Sequence, residues 1–284
     1  MNYSIVMFAY NEEKNIERSL SSIYANIDND LSQVIVIANG CTDDTVKILN
    51  QYVKDKKFEK LTVVELSVGD KCNAWNEYIH HIAADEDVHF FTDADVQFTS
   101  NAFAQMAKKL LATTNASAIA GLPFSGRNIK QYRQMVTEQK LLFGNCYGLK
   151  NEFLDLVKEK QFYLPAGLGW IDSAITKIVK RDITDIDAPI NERITFDINC
   201  GYLFSKLSVF NWDDIKLYIS RIARYKTGQL QQVHLEDLSY LNWPRDLNDI
   251  NKKLLNQINE GEIKLNPLLK NRIIRRLQKK IVLN

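Results

Sequence analysis

"HFFTDADVQF" occupies residues 89–98. Apolar and aromatic side chains lead into Asp93, one small residue follows, then Asp95, and the chain turns apolar again. Such a run predicts a buried strand, "VHFFTD" (88–93), that ends on two carboxylates. On the turn leaving a strand, two carboxylates one residue apart converge on one point. Hard oxygens of this kind, with water and phosphate oxygens, suit Mg2+ or Mn2+, which seldom receive a complete protein cage. The same pair would also serve a solvated loop with helix-capping carboxylates. Its place at the edge of a parallel sheet favours the metal reading.

That sheet is inferred from the residues on either side. "YSIVMF" (3–8), "QVIVIA" (33–38), "KLTVVEL" (60–66) and "ASAIAGL" (116–122) are further strand-like runs. Between them lie helical patterns: from about Asn15, over "CTDDTVKILNQYVK", over "KCNAWNEYIHHIAA" (71–84), and over "SNAFAQMAKKLLA" with Ser100 as its expected cap. Strands separated by helices of this length imply right-handed crossovers and a mainly parallel sheet flanked by helices, an α/β fold. The strands are continuous apolar runs because helices cover both faces. Open parallel sheets bind ligands outside the carboxyl ends of their strands. Tyr10, Asn11, Glu12, Asn39, Gly40, Lys71, Asp93 and Asp95 therefore share one rim.

Composition narrows the function classes. The chain has 284 residues, 45% hydrophobic and 25% charged, an ordinary globular balance long enough for one large domain. Lys plus Arg number 36 against 35 Asp plus Glu, so a net charge of +1 offers no global attraction for nucleic acid, and electrostatics must act locally. The start, "MNYSIVMFAYNEE", lacks the pattern of a secretory signal, and no stretch has the length of apolar residues that a membrane span needs. Cys41, Cys72, Cys146 and Cys200 lie far apart, as reduced thiols in a cytoplasmic protein do.

"MFAYNEEKNIERSLSSI", "VIVIANGCTDDTVKIL", "DKCNAWNEYI" and "FFTDADVQF" follow one another in an order and spacing that resembles the family 2 glycosyltransferases. The resemblance is strong to about residue 122 and traceable to about 230. It implies the GT-A (Rossmann-like) fold, with a nucleotide-sugar-binding half over 1–122, an acceptor-binding half over 123–210, and a C-terminal helical extension over 211–284. It also implies a nucleotide-sugar donor and a divalent cation on the donor's diphosphate. By position, Ala9, Tyr10 and Glu12 resemble the segment that touches the nucleoside. Asn39 stands where the family reads "DDGSTD" and this chain reads "ANGCTD", so a carboxylate to the base is missing, with uridine still favoured. Lys71 matches the basic residue near base and diphosphate. Asp93 would contact ribose or a metal-bound water, Ala94 would line the donor site, and Asp95 would hold the metal.

Glycosyl transfer also needs a base within reach of the acceptor hydroxyl. By resemblance this is Asp172 of "GLGWIDSAITKI", although Ile171 replaces the usual preceding Glu. Trp170 is placed either to stack on an acceptor sugar or to pack. "RIARYKTGQ" (221–229) resembles an element whose arginines stabilise the leaving diphosphate, which nominates Arg224; an exposed basic helical face is the alternative. His234 is a candidate further metal ligand, or structural.

The C-terminal "KNRIIRRLQKKIVLN" carries cations and no acid, with Ile273, Ile274, Leu277 and Ile281 near one helical face. Such a helix either rests on an anionic bilayer at the inner face of the cell membrane or packs on the domain. The expected activity is metal-dependent, inverting transfer of a hexosyl or N-acetylhexosaminyl group from a UDP-sugar to a saccharide or lipid-linked saccharide, in bacterial surface polysaccharide synthesis. A retaining transferase and a non-catalytic saccharide-binding protein of the same fold are alternatives. A sugar-phosphate nucleotidyltransferase would need a Gly- and Arg-rich loop where this chain has "FAYNEEKN".

Overall fold

A computed structural model of the chain describes residues 1–56, 58–126, 128–204 and 212–281. Strands β1 (Tyr3–Ala9), β2 (Leu31–Asn39), β3 (Leu61–Leu66) and β4 (Val88–Asp93) pair in parallel in the order β3-β2-β1-β4. Their connections carry helices α1 (Ile16–Tyr24), α2 (Thr45–Lys56) and α3 (Lys71–Glu77), as the alternation of strand and helix patterns requires. A five-residue π-helical turn, Tyr78–Ile82, extends α3 and brings the Tyr78 hydroxyl to Ser4 and His89.

The other half of the sheet is mixed. β5 (Val96–Phe98), β6 (Ala118–Ser125), β7 (Cys146–Lys150) and β8 (Ile194–Phe204) complete eight strands in the order β3-β2-β1-β4-β7-β6-β8-β5. β7 runs antiparallel to both β4 and β6, while β6 and β8 are parallel and β5 is antiparallel to β8. Helices α4 (Ala102–Ala112), α5 (Ile129–Thr137), α6 (Asn151–Glu159) and α7 (Ile171–Lys180) flank these strands. The half expected to bind the acceptor, 123–210, therefore supplies in β7 a central strand of the sheet. Ser100 does not cap α4: Asn101 holds the cap position at φ 55°, and the Ala102 N–H donates to Asn26 Oδ1 and Thr99 O instead.

Strand alternation divides the core between the two sheet faces. From β1, Val6 and Phe8 join Phe91, Trp75 and Tyr147 on one face, whereas Tyr3, Ile5 and Met7 join Phe90 and Phe103 on the other. Helices α8 (Trp212–Glu236), α9 (Asn248–Asn259) and α10 (Pro267–Ile281) enclose a third, smaller cluster of Ala223, Leu254, Ile258, Ile273 and Leu277. The basic C-terminal helix thus packs on the domain. The boundary expected at 210/211 lies outside the described residues.

Candidate active site

Three loops at the carboxyl ends of β1, β2 and β3 form the floor of the rim. After buried Ala9, Asn11 adopts φ 55°, a left-handed conformation that Asn tolerates better than most side chains. Its Oδ1 accepts from the Thr42 N–H at 2.8 Å, and the Thr45 hydroxyl accepts from the Glu12 N–H at 2.7 Å, which ties the β1 loop to the β2 loop. Gly40, at φ +67°, lies against Gly69: a Cβ there would stand 2.4 Å from the Gly69 nitrogen. Buried Asn39 uses its Oδ1 to accept from the Asp70 N–H at 3.0 Å. Tyr10 lies over Gly69 with its ring about half exposed.

Asp93 ends β4, and its Oδ1 pairs with Lys71 Nζ at 2.5 Å from the first turn of α3. Ala94 is buried, and its carbonyl accepts from the Ser19 hydroxyl at 2.8 Å, fixing the turn that presents Asp95. Asp95 Oδ2 pairs with Arg221 Nη2 on α8 at 3.2 Å. Burial pushes the Asp93 carboxyl up, but Lys71 outweighs it and holds the group below the usual range. Asp95 is raised by burial and by the Asp93 charge, which Arg221 only partly offsets. Glu12 is pushed up to about 7 by burial, against a stabilising bond from Asn15, with Asp95 and Asp93 adding repulsion.

These shifts test whether a divalent cation fits. Glu12, Asp93 and Asp95 repel one another within reach of a shared field, and Glu12 and Asp95 are raised despite the Lys71 and Arg221 pairs, so added positive charge here would be favourable. Among the described residues no three His, Cys, Asp or Glu side chains form a metal-holding group on geometry alone. The set matches a hard ion that takes one or two protein carboxylates and keeps its other positions for phosphate and water.

Asp172 lies in the first turn of α7 and shares the Asp93 and Lys71 environment. A Cβ on Gly144 would stand 2.8 Å from both Asp172 Oδ1 and Lys71 Nζ, so this glycine, ahead of β7, leaves space for both groups. Burial raises the Asp172 carboxyl, and Asp93 adds to this, while Lys71, Arg224 and the Gly144 N–H act against it. For Arg224 on α8, Tyr225, Asp172 and Asp93 outweigh burial and strengthen the guanidinium's hold on its proton. Segments far apart in sequence thus bring Glu12, Lys71, Asp93, Asp95, Asp172, Arg221 and Arg224 into one charged cluster.

His234 lies apart from it, and Trp170 lies at its edge, against the Tyr225 ring that Arg224 also meets. His234 follows Arg221 on α8 by 13 residues, about 20 Å along the helix axis. Its neighbours are Lys253 and Asp237, and burial lowers its pKa. The structure does not bring it to Asp95, because the length of α8 separates it from Arg221. Trp170, at the start of α7, packs its ring 6.3 Å from that of Tyr225. It also lines a cavity of about 350 Å³ with Ala174 and Lys177, helical positions on the side of α7 away from Asp172.

Sequence reasoning missed the contribution of α10, whose cations Arg276, Lys279 and Lys280 reach Ser220, Tyr10 and Asp70. The signal was the spacing of those three along the helix: they fall beside Ile273 and Leu277, which pack inward. Gly144 gave no local sign of its role.

The curled sheet flanked by helices, with its C-terminal helices, is the GT-A fold of glycosyltransferases. The chain belongs to glycosyl transferase family 2, whose model matches residues 4–164. No curated protein sequence matches it significantly. It is similar in fold to the mannosyltransferase PcManGT from Pyrobaculum calidifontis, in complex with GDP-Man and Mn2+ (TM-score 0.62, 18% identity, 99% of this chain and 87% of that one). TarS 1-349 from S. aureus, in complex with UDP-GlcNAc, superimposes with a TM-score of 0.53 at 14% identity, over 99% of this chain and 72% of that one. Glucosyl-3-phosphoglycerate synthase from Mycobacterium tuberculosis, in complex with Mg2+ and UDP, gives 0.51 at 17% identity, over 80% and 79%. Among the described residues no helix is long and apolar enough to cross a membrane.

Proposed function

We propose that this chain transfers a hexosyl or N-acetylhexosaminyl group from a nucleoside-diphosphate sugar to a hydroxyl of a saccharide or lipid-linked saccharide, with inversion. The observation that carries this reading is the convergence of Asp93, Asp95 and Asp172 with Lys71, Arg221 and Arg224 on one rim. Solved structures of the same fold hold GDP-Man, UDP-GlcNAc or UDP, which supports a nucleoside diphosphate as the leaving group. Surface polysaccharide synthesis at the inner face of a cell membrane rests on family resemblance.

In this reading Ala9, Tyr10, Glu12 and Asn39 bound the nucleoside, and Lys71 lies between it and the diphosphate. Asp172 takes the proton of the acceptor hydroxyl. The acceptor oxygen bonds to the anomeric carbon from the side opposite the diphosphate, and the bond from that carbon to the diphosphate oxygen breaks. Arg224 and Arg221 face the charge that collects on the leaving group. Mg2+ or Mn2+ would be held by Asp95 with Asp93 near it, and when bound would supply neutralisation of the diphosphate.

Calorimetry with Mn2+ tests the reading. UDP or GDP should bind, the binding should disappear in Asp95→Ala, and one nucleotide sugar from a panel should be hydrolysed slowly. Absence of binding by any nucleoside diphosphate in the presence of metal would overturn it.

A further inference from the structure

Helix α10 carries a row of cations that the activity above does not use. Ile273 and Leu277, both fully buried, press the helix against Ala223 of α8 and Leu254 and Ile258 of α9. On the flank of that seam, Arg276 Nη2 donates to Ser220 O at 3.2 Å and to Ser220 Oγ at 2.6 Å, beside the Arg221 that holds Asp95. Lys280 Nζ lies 3.8 Å from Asp70 Oδ2 and 3.5 Å from Leu168 O. Lys279 Nζ lies 3.4 Å from Tyr10 Oη and 5.8 Å from the centre of its ring.

Asp70 fixes where this row sits. Its Oδ1 caps α3 through the Asn73 N–H, its Oδ2 accepts from the Gly167 N–H, and its own N–H donates to Asn39. Asp70 therefore binds together the end of β2, through its N–H, and the start of α3 and the loop before α7, through its carboxylate. Through Lys280 it also joins α10. The Tyr10 ring lies close over Gly69, where a Cβ would stand 2.8 Å from its Cε2. The ammonium of Lys279 thus lies at the half-exposed Tyr10 ring, which shares the surface of Gly69 with Asn39. Lys279 adds a hydrogen-bond donor at this place, beside the buried Asn39, whose Oδ1 is already taken by the Asp70 N–H.

We propose that α10 forms a wall of the donor site and that Lys279, with Tyr10, binds the nucleoside by directing its ammonium at a base that carries carbonyl oxygens. The inference rests on the donor reading above and adds a specificity-determining residue to it. Lys280 is the positioning residue that anchors the helix to Asp70. Arg276 adds positive charge beside Arg224, where a diphosphate would lie.

The test is calorimetric titration of the full chain, with Mn2+, by UDP, GDP, ADP and inorganic diphosphate. Wild type should bind UDP or GDP, whose bases carry carbonyls, more tightly than ADP, whose base has none. Lys279→Ala, at an exposed position that folding does not need, should weaken that binding about tenfold and leave inorganic diphosphate unchanged. Lys279→Arg should recover most of the loss, and Lys270→Ala, an equal charge loss on the exposed start of α10, should change nothing. If Lys279→Ala binds UDP and GDP like wild type, or if it weakens inorganic diphosphate equally, the nucleoside role is wrong while the donor reading stands. ADP binding as tight as UDP and GDP sinks the base assignment. If wild type binds none of the nucleotides, the donor reading fails and this inference with it.

Discussion

Asp172, the base of the proposed reaction, is a buried carboxyl set beside cations. Burial raises its affinity for a proton, while Lys71 and Arg224 keep that rise in check, so the group can both take and release a proton. Asp172→Asn should lower kcat by about 10²–10⁴-fold, the usual share of general base catalysis, with donor Kd within about threefold of wild type. A parallel loss of donor binding would make it structural. Gly144→Ala is a second probe of the same contact. The added methyl would meet Asp172 Oδ1 and Lys71 Nζ, both ends of side chains able to shift, so the melting temperature should hold while kcat falls at least tenfold. Asp93 and Asp95 were legible in the sequence because their chemistry is local: two acids at the end of an apolar run. The space that Gly144 leaves for Asp172 and Lys71 was not, because the glycine and its two neighbours come from three distant segments.

At the scale of elements, the parallel half of the sheet was readable from alternation alone. Each of its strands is a continuous apolar run followed by a helix pattern, and local periodicity suffices. β7 was not readable. "CYGLK" is five residues long, contains a glycine and ends in a buried Lys150, so it carries no strand signature of its own. Its place between β4 and β6 is set by pairing with both. The glycine has a reason there, since a Cβ on Gly148 would stand 2.8 Å from the Phe90 ring. For α10 the helix and its apolar seam were legible, but the partner was not: an apolar stripe with flanking cations fits a membrane and a protein groove equally well. The groove between α8 and α9 predicts a specific cost. Leu277→Ala should reduce the unfolding free energy by about 2–5 kcal/mol, because the methyl groups it removes are fully enclosed. Urea unfolding measures this. Donor affinity should fall in the same variant at concentrations of urea too low to unfold it, since α10 would lose its seat.

Over the whole molecule, a near-neutral net charge conceals titratable groups at opposite ends of the parallel strands that oppose each other with pH. At the carboxyl end, Glu12 is raised from 4.5 to about 7, so its contribution to stability is present below pH 4.5 and is lost as pH rises to about 7. Glu12→Gln should therefore raise the urea midpoint at pH 8 more than at pH 4. At the other end His89 is fully enclosed, and burial lowers its pKa to about 4. Its hydrogen bonds fix its neutral form. Asn151 Nδ2 donates to Asp85 and Asp155, which turns Asn151 Oδ1 toward His89 Nε2. Nε2 then carries the proton, and Nδ1 accepts from the Tyr78 hydroxyl at 2.7 Å. Protonation would turn Nδ1 into a second donor facing that hydroxyl. Because the unfolded value of about 6.5 lies above the folded one, the unfolded chain binds the proton first, and stability declines as pH falls from 6.5 through 4. A gap of about 2.5 units corresponds to about 3 kcal/mol over that window. Chemical denaturation at pH 7 and pH 4 measures it. In His89→Gln the midpoint at pH 7 should be lower than wild type, because the Tyr78 and Asn151 contacts are disturbed, yet the decline on acidification should be shallower by about that amount. An equally steep decline in the variant would assign the acid sensitivity to carboxyls held below their usual range, Asp93 among them, instead.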